Sequence, residues 1–368
     1  MFIDRERLSV FFHQYRKFLY RCFGKPLYGI MSKGFACDVQ DPTMNITHGD
    51  VLHPCVRFLE EGFEGHKWWM VYTPYYGGND SLENPRLCYS DNSGQDVPLS
   101  WRFYCEIKGK PSVGYNSDPT LMFWEGRLYV FFRENYTEKA RSFGCSRATM
   151  GCYVLNREVF FIQGPQLIEE RRNVDKEVCP AFVSMNKGVR AYSFHIRFCS
   201  RIMYRLPQPL STALYRFLGL LKELCIYDRI QFRGVSIWEA DRPEDRFTYR
   251  RTVRMKRLGI FTHPWHFDVF RATDRNGIES VFAIIQSDDQ YADIRLARSE
   301  DGEHFSLFRE PLITSDTIGM KGIYKPSAVV VDGKFLLFYT ARDNIDRSLN
   351  RLFVTKEDWQ SILQRLSK

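Results

Sequence analysis

The stretch NSDPTLMFWEGRLYVFF, residues 116–132, holds the pattern that decides the fold. TLMFW and RLYVFF are of strand length and rich in aromatic and branched residues, and Glu125-Gly126 between them suits a tight hairpin turn. Asp118 is different: an acidic residue opening an apolar strand, just before Pro119, belongs neither to a core nor to a turn. The same arrangement recurs along the chain. LHPCVRFLEEGFEGHKWWMVYTP begins at Leu52, VCPAFVSMNKGVRAYSFH at Val178, WHFDVFRATDRNGIESVFAII at Trp265 and YKPSAVVVDGKFLLFYTAR at Tyr324. Each copy has a short head, an apolar run, a turn containing Gly and an aromatic-rich second run. Four of the five heads end in Pro, and the fourth has Phe267 instead. Further strand-like pieces, such as PRLCYSDNSG and NRLFVTKEDW, follow several copies. Repeats of three or four short strands, about 55 to 90 residues apart, describe radial blades better than a sandwich. The expected fold is therefore an all-β, five-bladed β-propeller over residues 45–357.

Two segments interrupt the repeat. Residues 4–22 place Leu8, Phe11, Phe12, Tyr15, Phe18, Leu19 and Cys22 at helical spacing, and residues 210–226 do so with Leu210, Leu214, Phe217, Leu218, Leu221 and Cys225. Both are expected as amphipathic helices outside the blades. The first belongs to a lead-in spanning 1–44, and the second to an insertion spanning 207–228. They are expected to pack on the propeller; a homo-oligomer contact or a membrane surface are the alternatives. Residues 358–368 are expected as a C-terminal tail.

Composition narrows the function. The 368 residues are 44% hydrophobic and 15% aromatic, enough for a substantial core, with no apolar run of about 18 residues that predicts a transmembrane helix. The ten cysteines show no metal-ligand spacing, which predicts reduced thiols and a cytoplasmic location. The net charge of +8 is scattered in short clusters, unlike a nucleic-acid-binding block. It suits an acidic or phosphorylated carbohydrate. Walker, GxSxG, GxGxxG and HExxH motifs are lacking.

In a propeller the first strand of each blade lines the central channel, and residues two apart share a face. If the residue before each Pro faces the axis, the channel positions are His53, Asp118, Cys179, His266 and Lys325. Glu177 and Asn116 then lie one step towards the mouth, and Asp268 one step deeper. Ionisable groups in such places are costly unless water or a ligand meets them, and a channel rim is expected to supply that water.

These features resemble the five-bladed β-propeller glycoside hydrolases of the arabinanase and β-xylosidase type, with related invertases and mannoside phosphorylases. WWMVYTPYYGGNDSLENPRLCYSDNSG, PWHFDVF and KPSAVVVDGKFLLFYTAR strengthen the likeness, which covers about residues 45 to 357. The resemblance implies a channel with three acids: a base, a second carboxylate and an acid. Carried over, Asp118 is the second carboxylate and Glu177 the acid. The first head, where those hydrolases carry an Asp-Pro base, is His53-Pro54 here. The base is then His53, Asp50, Asp80, Glu83 or Asp268, unless ordinary hydrolysis is lost. Trp69 and Tyr75 are candidates for stacking on sugar. His266, Lys325, Asp80, Glu83 and Asn116 complete the expected binding set. Arg133 and Glu134 read as a surface pair. No cofactor is expected, although two histidines with several aspartates leave room for a channel metal ion. The expected function is cleavage of an oligo- or polysaccharide by paired carboxylates; phosphorolysis and non-catalytic glycan or protein binding are the alternatives.

Overall fold

The computed structural model describes residues 28–43, 50–75, 79–92, 97–109, 114–137, 145–162, 175–197, 232–258, 264–287, 293–342 and 350–367, with a few isolated positions besides. Its strands form five separate sheets, one for each repeat. Their first strands are Val51–Phe63, Tyr115–Trp124, Asp175–Ser184, Pro264–Thr273 and Lys321–Val331. Each touches the first strands of the two neighbouring blades, so the five close into a ring around the axis. The channel positions expected from the repeat are therefore on the innermost strands.

Local chemistry sets the hairpins. Glu64-Gly65, Glu125-Gly126 and Asp332-Gly333 all carry positive φ at both residues, the two-residue turn that matches strand twist. The registers Phe63↔His66, Trp124↔Arg127 and Val331↔Lys334 confirm it. Between blades lie five apolar clusters, one at each blade-to-blade interface. Consecutive residues of a strand thus enter different cores: Trp68 packs towards blade five and Trp69 towards blade two.

Ring closure is supplied by the lead-in, which the repeat did not predict. Phe35–Ala36 adds antiparallel to Asn350–Asp358 as the fourth strand of blade five. A few residues later, Asp38–Gln40 runs parallel to Ser100–Glu106 at the outer edge of blade one. One short segment therefore ties the last blade to the first. Behind it, Asp41 is buried and accepts hydrogen bonds from Tyr72 (2.8 Å) and Arg86 (2.8 Å).

Residues 359–366, expected only as a tail, form a helix, Trp359–Leu366, capped by Asp358. It buries Trp359, Ile362, Leu363 and Leu366 against blades four and five, because its apolar residues recur at helical spacing. The helices expected over 4–22 and 210–226 fall almost wholly outside the described residues, and so does any oligomer contact through them. No described helix is long and apolar enough to cross a membrane.

Gly34 has φ +75°, and a Cβ there would collide with the Val354 carbonyl oxygen. Gly34→Ala is therefore expected to lower stability by about 1–3 kcal/mol, read from urea denaturation. An unchanged midpoint would show that the lead-in does not close the ring this way.

Candidate active site

Prolines build the site. Pro54, Pro119 and Pro180 have no N–H, so the ladder skips between Leu52 and Cys55, Ser117 and Thr120, and Val178 and Ala181. The preceding residues, His53, Asp118 and Cys179, take left-handed φ values of 54°, 52° and 52°. That conformation is unfavourable for residues with a Cβ, and three adjacent blades repeat it. The fourth and fifth heads, His266 before Phe267 and Lys325 before Pro326, have no positive φ.

The heads converge. Asp118 Oδ1 lies 3.5 Å from His53 Nε2 and 3.5 Å from His266 Nδ1. Its other oxygen accepts from Arg133, a buried residue on the next strand of the same blade. His53 Nδ1 is 2.9 Å from Thr73 Oγ1 and 3.4 Å from Glu83 Oε2. Cys179 Sγ stands 2.9 Å from His266 Nδ1 and 3.0 Å from the Trp265 carbonyl oxygen. Lys325 reaches across from blade five to donate to the Pro119 carbonyl (2.8 Å). The Tyr324 ring packs on both imidazoles, at 5.3 and 4.4 Å.

All five heads are buried, at 2–3% exposure. The expected wetted rim is absent at this level because the His53, His266 and Tyr324 rings close over one another. Electrostatics follows from that. Burial disfavours charge on Asp118, but Arg133, His53, His266 and Lys325 together outweigh it and hold the carboxyl well below its usual range. Asp118 is thus a carboxylate at any ordinary pH and no proton donor. Burial pushes the His266 pKa well down, so its ring is neutral. Burial, reinforced by the Asp118 charge, pushes the Cys179 thiol well up, which rules out a thiolate nucleophile.

The other expected residues separate into three groups. Glu83 joins the site: Asn116 donates its backbone N–H to the Glu83 carbonyl (3.0 Å) and its side chain to Asn84 Oδ1 (2.9 Å), pinning that loop so that the Glu83 carboxylate meets His53. Asn116 is accordingly a loop anchor. Glu177 is occupied within blade three by Ser193 (2.6 Å), His195 (2.8 Å) and Ser236 (3.1 Å). Asp268 lies deeper, held by both Arg57 nitrogens (2.7 and 2.7 Å), Ser327 (2.6 Å) and the Val269 N–H (2.9 Å). Among the described contacts, none joins Glu177 or Asp268 to Asp118. Trp69 has no exposed face; it is wedged among Phe63, Tyr89 and Tyr104, so it stacks on protein and not on sugar. Tyr75 is half-buried beyond its strand, with its N–H on the Asp50 carbonyl, and Asp80 opens the turn Asp80–Leu82.

Arg133 and Glu134 are not a surface pair. Arg133 serves Asp118, and buried Glu134 binds Lys108. The signal was present in the register: Arg133 faces Ser117 across the ladder, beside Asp118. Thr73, which faces Leu52, follows the same rule for His53.

The His53, Asp118 and His266 donor atoms lie within 4.8 Å of one another, so a small cation is the group this cluster is able to hold.

No family model and no curated protein matches the chain in sequence. Solved structures do match in fold. An N-acetylgalactosamine deacetylase from F. plautii, in complex with blood group B trisaccharide, is 16% identical, with 92% of this chain and 97% of that chain covered at a TM-score of 0.59. The fold is similar to that of five-bladed propeller glycoside hydrolases. An exo-1,5-α-L-arabinanase from a bovine ruminal metagenomic library gives 11% identity, 85% and 94% coverage and a TM-score of 0.51. A levansucrase from B. megaterium gives 9%, 89% and 90%, and 0.55.

Asp268→Asn leaves the Arg57 guanidinium, largely buried, without its countercharge. It is expected to cost about 3–5 kcal/mol of stability, and the double change Arg57→Leu with Asp268→Leu clearly less. Denaturation of the three variants checks this. A stable but inactive Asp268→Asn protein would instead place Asp268 in the reaction.

Proposed function

We propose that the protein is a carbohydrate-active hydrolase whose reaction centre is His53, Asp118 and His266, with Glu83 behind His53. The observation that carries this reading is one carboxylate oxygen placed 3.5 Å from two imidazoles, on strained backbone, at the start of a propeller channel. Packing alone does not call for such a group, since apolar residues of similar volume stabilise a core as well or better. The carbohydrate substrate is supported by the fold, which is shared with an arabinanase, a levansucrase and a deacetylase of a sugar.

Two bonds on a sugar are candidates. Cleaving a glycosidic bond takes a proton donor facing a second carboxylate across roughly 5 to 9.5 Å. Asp118 remains ionised, Asp268 is locked to Arg57, and Glu177 accepts three internal hydrogen bonds. Glu177, expected as the acid, is thus engaged elsewhere, and Glu83, one of the residues expected as the base, is in contact with the cluster. Removing an acyl group from a sugar asks for less: one base to take a proton from water, and a positive group facing the carbonyl oxygen. His53, with Glu83 on one nitrogen and Asp118 on the other, is oriented as such a base. Release of an acyl group is therefore our first reading, on the strength of that base alone, and glycosidic cleavage is the second. Phosphorolysis has less support, because the Lys325 ammonium expected to hold phosphate is engaged by the Pro119 carbonyl.

A panel of acetylated and unsubstituted oligosaccharides, assayed for released acetate and for new reducing ends, tests the reading. Asp118→Asn is expected to reduce turnover on the order of 1,000-fold, and Glu83→Gln by about 10- to 100-fold, with folding unchanged. New reducing ends without acetate would select the glycosidase reading. Tight sugar binding without any product, or full activity in Asp118→Asn, would reject the proposed centre.

A further inference from the structure

We propose that His53, Asp118 and His266 bind one divalent transition-metal ion of the zinc class at the start of the channel. This rests on the reaction centre assigned above and changes one role in it: with an ion held by His53 Nε2, His53 would be a ligand, and Glu83 beside it would be the group to take the proton from water.

The spacing is the first argument. Two ligand atoms bound at about 2.1 Å to a tetrahedral ion stand about 3.4 Å from each other. Asp118 Oδ1 stands 3.5 Å from His53 Nε2 and again 3.5 Å from His266 Nδ1. A direct charge-assisted hydrogen bond between imidazole and carboxylate closes to about 2.8 Å. Here both rings stop short of the same oxygen, at the edge length of a coordination polyhedron. All three residues are buried.

Support from behind is the second argument. A metal-binding histidine commonly gives its other N–H to a carboxylate or a similar acceptor, which fixes the tautomer. Thr73 Oγ1 and Glu83 Oε2 both meet His53 Nδ1, which places the proton there and leaves the Nε2 lone pair facing Asp118. Arg133 occupies Asp118 Oδ2 and leaves Oδ1 to the cluster. His266 turns Nδ1 to the same Asp118 oxygen, with Cys179 Sγ 2.9 Å from that nitrogen, and its Nε2 is buried without a hydrogen-bond partner, so the support from behind is supplied at His53 and Asp118. The left-handed backbone at His53 and Asp118 turns both donors to the same point.

The donor set selects the ion. Calcium takes six to eight oxygen ligands, and magnesium an octahedral oxygen shell. Two imidazoles and one carboxylate suit zinc, cobalt or iron(II), and three protein ligands leave a position open to water or substrate. In that position the ion would supply Lewis acidity to a substrate oxygen. The Arg133 guanidinium and Lys325 ammonium, both close enough to act on Asp118, oppose a further cation. Affinity is therefore expected in the micromolar range (on the order of 1–10 μM), weaker than for a closed structural zinc site.

The test uses the full chain, stripped with EDTA, with no sugar present. ZnCl2 is titrated by calorimetry and CoCl2 by visible absorption. One ion per chain is expected, with affinity lowered at least 100-fold in Asp118→Asn and His266→Gln. His304→Gln, which alters an exposed histidine paired with Asp301, is expected to bind as the parent does. Absence of stoichiometric binding, unchanged binding in the first two variants, or loss in the third overturns the site. Should either channel variant unfold, X-ray absorption of the zinc-loaded parent decides. Two imidazoles in a nitrogen and oxygen shell support the proposal, and an all-oxygen or sulfur-rich shell rejects it. A protein that binds the ion but acts on no sugar removes the proposed reaction and keeps the site; an active protein that binds none does the reverse.

Discussion

The geometry of this molecule depends on a hydrogen bond that proline is unable to make. Where an inner strand carries Pro54, Pro119 or Pro180, the ladder loses one donor and gains an offset, and the preceding residue takes a left-handed conformation. Without the offset, His53, Asp118 and Cys179 would alternate with their neighbours into the interfaces between blades. With it, His53 and Asp118 meet at the axis, and Cys179 reaches His266 from the cluster between blades three and four. Each left-handed head costs on the order of 1 kcal/mol, which the five surrounding apolar interfaces absorb.

Charge then divides the channel into two levels with different roles. At the deeper level Arg57 of blade one spans to Asp268 of blade four, with Ser327 of blade five between them. Every oxygen of that carboxylate has a donor, so the pair acts as a cross-brace between blades that are not neighbours. At the level of the heads Lys325 makes a comparable crossing to Pro119. Asp118 is held differently: one oxygen is fixed by Arg133, and the other stands at 3.5 Å from two rings, with the Cys179 thiol as a further hydrogen-bond partner of the carboxylate. That contrast between a carboxylate locked to one guanidinium and one shared by two imidazoles separates the brace from the candidate reaction centre.

Much of this was legible in the residues. The recurring heads and the X-Gly turns gave five blades, and the residue before each proline was correctly assigned to the axis. Three things were not legible, for identifiable reasons. The ring-closing role of 35–40 rests on two very short strands with no head and no alternation, so nothing in their sequence announces them. The period-two rule placed Glu177, Asp118 and Asp268 on one continuous face, but the offset at each head breaks that alternation, and the three acids take separate partners. Trp69 fits a sugar platform by its sequence position, because an aromatic residue in a second strand serves core and ligand equally well. Only the packing of Phe63, Tyr89 and Tyr104 around it decides the matter.

The central claim is spatial: chemistry on a sugar takes place where the strand heads converge. A crystal structure of the protein with a bound oligosaccharide fragment addresses it most directly. The account predicts sugar density at the axial end formed by His53, Asp118 and His266, with a polar sugar atom in reach of Glu83 or His53. Sugar bound instead on the outer edge of a blade, or at the opposite end beside Arg57 and Asp268, would contradict it.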